Sequence, residues 1–278
     1  MRSPDKAGQS YDFLQSGDIH SRWLSDYLNP DIDRFYDLAF DHIVAKLNLT
    51  ADSSILDAGC GRCYHTARLV RRCDGRVVAV DFSDAALSAA QRTVASAGIE
   101  SRVRLLKGDL TALQFKSEFF DAVISWGVLM HIPQLDTGLR ELVRVLRPGG
   151  YLVLSENNMA SLDARVRLAP MRALNAVVGK KNATAARTDW GLEVWHSFET
   201  GGLMDRLTDM NYLIGFLAQQ GLALAERRAG QFSEGYVNVA SQSVKRVFHR
   251  MNEWYFRLGL SPSLAHGNIL LFRKRERQ

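Results

Sequence analysis

"SILDAGCGRCYHTARL", Ser54 to Leu69, decides the fold. An apolar run ends in Asp57, turns over Gly59 and Gly61, and enters a stretch with helical spacing. A strand, a glycine turn and a helix in that order open a βαβ unit whose backbone can approach a ligand closely. Cys60 and Cys63, spaced C-x-x-C in the same turn, place a metal reading and a redox reading beside the nucleotide one.

Outward from this turn the chain alternates. "SILD" reads as a short strand and "CYHTARLVRRC" as a helix. "RVVAVD" is a β-branched strand that ends in acid. "SDAALSAAQRTVASAG" is an alanine-rich helix, with Ser83 as N-cap and Gly98 as C-cap. "RVRLLKGD" and "FFDAVISW" follow as strands, "QLDTGLRELVRVL" as a helix and "GGYLVLSE" as a strand. Five strands with intervening helices predict a parallel sheet covered on both faces, with ligands beyond the carboxyl ends of its strands. Asp57, Asp81, Asp109 and Trp126 fall at those ends.

After Glu156 the alternation stops for about fifty residues, too long for a plain connection, which predicts a lid or substrate element. It resumes with "NYLIGFLAQQGLALAERRAGQF" as helix and strand, "SVKRVFHRMNEWYFRL" as a helix and "GNILLFRKR" as a closing strand. Ahead of the sheet, "RWLSDYLNPDIDRFYDLAFDHIVAKL" has helical spacing with a break near Asn29-Pro30. The expected organisation is a tail and helical cap over 1–50, a ligand-binding core over 51–156, an inserted segment over 157–209, and completion of the sheet over 210–278.

The 278 residues, 46% hydrophobic and 23% charged, have ordinary globular composition. No apolar run reaches the about 18 residues of a membrane span. "MRSPDKAGQSYDF" has no apolar core of a signal peptide, and three cysteines make a poor disulfide framework, so a reducing cytoplasm is expected. The net charge is +5. Between Asp163 and Asp189 there is no acid, but there are Arg165, Arg167, Arg172, Lys180, Lys181 and Arg187. A weak contact with an anionic membrane surface through 165–187 is one reading of that run, and a solvated face the other.

A dinucleotide turn needs a third glycine for close helix–strand packing, and Tyr64 stands there, which weakens a nicotinamide cofactor. A tetrahedral zinc site lacks its second ligand pair, so no metal is expected. The cysteines read most simply as small residues that fit a tight turn. The motifs "ILDAGCGRCYHTARL", "VVAVDFS", "LKGDLTAL", "FFDAVISWGVLMHI" and "VRVLRPGGYLVLSE", in this order, resemble those of the class I S-adenosylmethionine-dependent methyltransferases. The likeness covers roughly residues 53–156 and continues more weakly through 211–228 and 268–274.

That resemblance implies a Rossmann-like, seven-stranded, mainly parallel α/β sheet with helices on both faces. It also implies S-adenosyl-L-methionine as cofactor. A sulfonium cofactor carries no pyrophosphate, so the turn needs no third glycine. Gly59 and Gly61 would let the backbone meet the methionyl part, and Asp57 would face its ammonium group. Asp81 would accept the ribose hydroxyls, with Phe82 packed on the adenine. Asp109 would accept from the exocyclic amine while Leu110 covers the ring. For Asp57 and Asp109, turn capping is the plain alternative. Ser125 and Trp126 correspond to positions at the methionyl end.

Methyl transfer from a sulfonium is an in-line displacement that asks mainly for alignment and a dry cleft. A base helps where the acceptor is an alcohol or phenol, and His131 is the candidate, with packing or capping as its alternative. Trp190, Trp195 and His196 in the inserted segment, and Tyr11 in the N-terminal cap, are candidates for an acceptor pocket. Two nearby tryptophans serve as core anchors more often. The expected function is methylation of oxygen or nitrogen on a small-molecule acceptor. Methylation of RNA or protein, binding of the cofactor without catalysis, and hydride transfer are the alternatives. "SWGV" after the fourth strand argues against nucleobase amines, and nothing in the chain indicates an oligomeric state.

Overall fold

The computed structural model describes residues 30–168, 183–198 and 201–276. Helix α1 spans Pro30–Val44 and buries Phe35, Tyr36 and Phe40 on one face. Strand β1 (Ser54–Ala58), helix α2 (Tyr64–Val70), strand β2 (Arg76–Asp81), helix α3 (Asp84–Ala97) and strand β3 (Val103–Lys107) follow in strict alternation. The α3 termini are those its sequence prescribes. Ser83 Oγ accepts from the Ala86 N–H, and Gly98 closes the helix at φ +65°.

Strand β4 (Phe120–Trp126) leads through one 3₁₀ turn, Leu129–His131, to helix α4 (Leu135–Val145) and strand β5 (Leu146–Asn157). Beyond the insertion come helix α5 (Met210–Gln219), strand β9 (Leu222–Ala229), helix α6 (Gln242–Arg257) and strand β10 (Gly267–Lys274). The seven strands run in the order β3-β2-β1-β4-β5-β10-β9. Strand β10 is antiparallel to both neighbours, and β1 to β5 are parallel where they pair. The order reverses between β1 and β4, and such a reversal opens a crevice at the carboxyl edge.

Two cores hold the sheet, and the two-residue period of a strand assigns side chains to them. Ile55 joins Phe35, Phe40 and Phe256 under α1 and α6. Its neighbour Leu56 joins Phe120, Leu139 and Leu213 under α4 and α5. Each such aliphatic side chain contributes about 1.5–3 kcal/mol by burial. Among the described residues no helix is long and apolar enough to cross a membrane.

The interruption after β5 is itself a sheet. Strands β6 (Ala183–Thr188), β7 (Gly191–Phe198) and β8 (Gly201–Thr208) form an antiparallel meander. Gly191 makes its first hairpin possible. With φ at +127°, a Cβ there would lie 2.1 Å from the carbonyl oxygen of Leu207. The meander is tied to the main sheet through Met159, whose N–H donates to the Thr208 carbonyl at 3.0 Å.

Candidate cofactor and acceptor cleft

The turn after β1 is shaped by the end of β2. The backbone N–H groups of Gly59 and Cys60 donate to the Val80 carbonyl at 2.8 and 2.9 Å. The Gly61 N–H donates to Asp81 Oδ2 at 2.8 Å, and the Ser83 N–H to Asp81 Oδ1 at 3.0 Å. Gly59, Gly61 and Cys63 all take positive φ. A Cβ on Gly59 would collide with Val128, whereas nothing lies within 4 Å of one built on Gly61 or Gly127. Both glycines present bare backbone to open space, Gly61 beside Asp81 and Gly127 just after β4.

Asp57 is buried and accepts from Thr66 Oγ1 at 2.5 Å. Burial raises its carboxyl to about 6, against the lowering effect of Thr66 and with a smaller push from Asp81. It is therefore ionised at neutral pH and suited to an ammonium partner. Phe82 is exposed next to Asp81. Asp109 is exposed and caps its own turn, Oδ1 accepting from both the N–H and the hydroxyl of Thr111 at 2.8 Å. Leu110 packs into the core with Val80 and Leu129.

Three candidates take defined places. Ser125 is fully buried, and alternation along β4 turns it away from the face that holds Trp126. Trp190 packs edge-on against Tyr212 and Phe216 of α5, with ring centroids 4.9 and 5.0 Å away, the contacts of a core anchor. The capping alternative for Asp109 describes the contacts it makes. Tyr11, residues 169–182 of the basic run and the side chain of His196 lie outside the described residues. Cys60 and Cys63 are buried with free thiols. Their mutual hydrogen bond and burial push the Cys60 thiol up, far from a thiolate. Among the described residues, no group of three or more His, Cys, Asp or Glu could hold a metal ion.

Trp126 belongs to an aromatic layer that sequence reasoning missed. Phe40 of α1 stacks on it at 5.0 Å and on His65 at 5.4 Å, and Tyr36 meets the His65 edge at 4.7 Å. Burial, helped by Arg68, lowers His65 to about 3, so it stays neutral. The Tyr36 hydroxyl joins Gln231, which also takes a hydrogen bond from Tyr236 at 3.1 Å. The helical period of α1 announced an apolar face, but nothing local said that β4 would lie beneath it.

Strand β8 lies against the Leu129–His131 turn. His131 Nδ1 is 2.9 Å from the Met204 carbonyl and 3.1 Å from Asp205 Oδ1. Burial pulls the imidazole down, but the Asp205 hydrogen bond and charge outweigh it, and the net shift is upward. Glu156, the buried end of β5, accepts from the Leu129 N–H at 3.3 Å. Burial raises it to about 8 despite the nearby His131. Arg206 is wholly buried between them. It donates to the carbonyls of Leu129 and Ile132 at 3.0 and 3.1 Å and pairs with Glu193 at 2.9 Å. Neither Glu156 nor Arg206 stood out in the sequence, because an acid ending a strand and an arginine in an alternating stretch read as ordinary surface.

Residues 55–150 match the methyltransferase-domain family. The chain is 32% identical over 116 residues to methyltransferase GfsG of Streptomyces halstedii, covering 42% of each protein. It is 33% identical over 117 residues to demethylmenaquinone methyltransferase of Lactiplantibacillus plantarum, covering 41% of this chain and 49% of that one. A sterol 24-C-methyltransferase of Candida albicans is 29% identical over 146 residues, or 52% of this chain and 39% of that one. The matched stretch thus spans less than half the length of these curated relatives.

Solved structures show the same fold at low identity. The [4+2]-cyclase SpnF superposes with a TM-score of 0.58 at 18% identity, covering 87% of this chain and 81% of that one. Geranyl diphosphate C-methyltransferase from Streptomyces coelicolor superposes at 0.55 and 16% identity, over 86% and 80%. Residues 55–150 thus match a methyltransferase domain, and the fold is the one shared with S-adenosylmethionine-dependent methyltransferases.

Proposed function

We propose that the protein is an S-adenosylmethionine-dependent methyltransferase that methylates oxygen or nitrogen of a small, partly apolar acceptor. One observation carries the reading: the turn after β1 presents bare Gly61 backbone beside the Asp81 carboxylate, and the turn after β4 carries His131, flanked by Asp205. The bound cofactor would supply a methyl group already activated on a sulfonium. Asp57 would meet the ammonium group. Asp81 has lone pairs beyond its two backbone bonds with which to accept from a ribose diol. Gly61 and Gly127 allow close backbone approach. Phe82 and Leu110 would flank the base, and Asp109 could add an acceptor at its edge.

His131 would take the acceptor's proton. Asp205 and the Met204 carbonyl both lie at Nδ1, so that proton would go to Nε2, with the Asp205 carboxylate stabilising the imidazolium. Trp195 pairs across the strands with Met204 and brings an aromatic ring of the inserted sheet near this group. It is the strongest remaining candidate for contact with the acceptor, and His196 and Tyr11 remain candidates on the sequence reading alone. Carbon is a second reading for the acceptor atom, favoured by the sterol and geranyl diphosphate C-methyltransferases among the similar proteins.

Calorimetric titration with S-adenosylmethionine, its demethylated product and NADH, followed by labelled-methyl transfer to hydroxyl, amine and activated-carbon acceptors, tests the reading. Binding of the first two ligands without NADH, and label on a hydroxyl or amine, is the expected result. Absence of S-adenosylmethionine binding overturns the assignment. Label on carbon alone replaces the acceptor atom.

A further inference from the structure

Helix α6 faces solvent with the wrong side for a solvated helix. Val244, Val247, Met251, Trp254 and Leu258 recur at intervals of three and four, which keeps them within an arc of about 80° on the helix surface. Val247 and Trp254 are each 66% exposed and Leu258 64%. This is not the stripe that holds the helix to the fold, because His249, Asn252 and Phe256 do that from another face. The exposed stripe therefore has no role in packing among the described residues.

The apolar surface continues beyond the helix. The Leu260 N–H donates to the Tyr255 carbonyl at the helix end, and in the loop that follows the Leu264 carbonyl accepts from the Leu162 N–H at 3.0 Å. All three leucines are more than two-fifths exposed, and Val166, one helical turn after Leu162, is 62% exposed. The patch borders the carboxyl edge of the main sheet. Leu162 follows the end of β5 and Leu264 precedes the start of β10, and those two ends pair at Asn157 and Gly267. That is the edge where the cofactor turn opens.

Charge selects the occupant. Helix α6 carries four cations, Lys245, Arg246, Arg250 and Arg257, against one carboxylate, Glu253. Arg246, Arg250 and Arg257 lie on one flank of the stripe at helical spacing, and exposed Arg165 stands beside Val166. An apolar band with a central tryptophan and a row of arginines on its border matches the boundary between acyl chains and anionic headgroups. A second copy of the chain fits less well. Two such helices packed antiparallel about a two-fold axis would set the arginine row of one against that of the other.

We propose that the exposed stripe of α6, continued through Leu260, Leu264, Leu162 and Val166, docks the protein on an anionic lipid bilayer and turns the cleft edge toward it. This surface is independent of the methyl-transfer reading, and its test does not use activity.

The full chain is sedimented with vesicles of phosphatidylcholine alone and of phosphatidylcholine with phosphatidylglycerol, at low and high salt. Wild type should sediment with the anionic vesicles, remain in solution with the neutral ones and be released by salt. Val247→Glu/Trp254→Glu should lower binding about tenfold or more with unchanged circular dichroism. Arg246→Glu/Arg250→Glu, which alters two exposed arginines outside the Arg257–Glu253 ion pair, should do the same and serves if the first variant fails to fold. Wild type that ignores anionic vesicles overturns the proposal, as do folded variants that bind like wild type. A concentration-dependent dimer lost in Val247→Glu/Trp254→Glu, with no vesicle binding, assigns the face to a second copy instead.

Discussion

Arg206, on the last strand of the inserted sheet, donates a hydrogen bond to the carbonyl oxygen of Leu129 at 3.0 Å. One buried guanidinium thus joins the insertion to the turn that carries His131. Its other partners are the Ile132 carbonyl and Glu193, so the charge is neutralised inside the inserted sheet itself. Arg206→Met should leave Glu193 unpaired and two carbonyls without their donor, and removing one partner of a buried pair costs about 3–5 kcal/mol. Thermal denaturation should show that loss. The gentler Glu193→Gln should keep the fold, raise the acceptor KM several-fold and leave cofactor affinity nearly constant. A matching loss of cofactor affinity in Glu193→Gln would make the insertion a stabilising element only.

Asp81→Ala should weaken S-adenosylmethionine binding by one to two orders of magnitude, since charge-assisted hydrogen bonds contribute about 1.5–3 kcal/mol. The same variant frees the N–H groups of Gly61 and Ser83, so calorimetry should be accompanied by a melting curve. Unchanged affinity would remove Asp81 from the site.

The rate of methyl transfer should rise with pH as His131 loses its proton, with an inflection above the ordinary histidine value of 6.5. Asp205 on β8 and Glu156 on β5 are the acids that face it. Asp205→Asn should move the inflection down, because burial then acts without its main counterweight. The stability side has the opposite sense. A histidine raised in the folded state adds stability that is fully present below 6.5 and is lost as pH climbs through the folded value. A pH–rate profile that Asp205→Asn leaves in place would take His131 out of the proton path.

Glu156→Gln should stabilise the protein increasingly between pH 4.5 and about 8. The buried carboxyl binds its proton more tightly folded than unfolded, so wild type loses stability across that window and the glutamine variant does not. Melting temperatures of the two proteins should agree most closely near pH 4.5 and diverge toward 8. A constant difference would mean that Glu156 ionises normally.

Much of this was legible along the chain. Ser83 and Gly98 cap α3 as written. The inserted sheet was harder to read. "GLEVWHSF" and "GGLMDRLT" are strands whose pairing depends on Gly191 accepting a conformation and a contact that no other residue tolerates, and nothing beside it announces that turn. Trp190 shows the same limit, since its aromatic surface fits a pocket or a core equally well until α5 is placed against it.

The sequence by itself determined the order of strands and helices and put Asp57, Gly59, Gly61 and Asp81 at strand ends. Apolar period, caps and glycine turns are local properties that neighbours in the chain can satisfy. Only the tertiary structure decided what faces what. Burial raises Asp57 to about 6 and Glu156 to about 8, covers Ser125, stacks Phe40 on Trp126 and brings Arg206 and Asp205 to the His131 turn. Those outcomes join residues far apart in the chain, 77 positions in the case of Arg206 and Leu129, and the electrostatic result depends on solvent exclusion that no local pattern encodes.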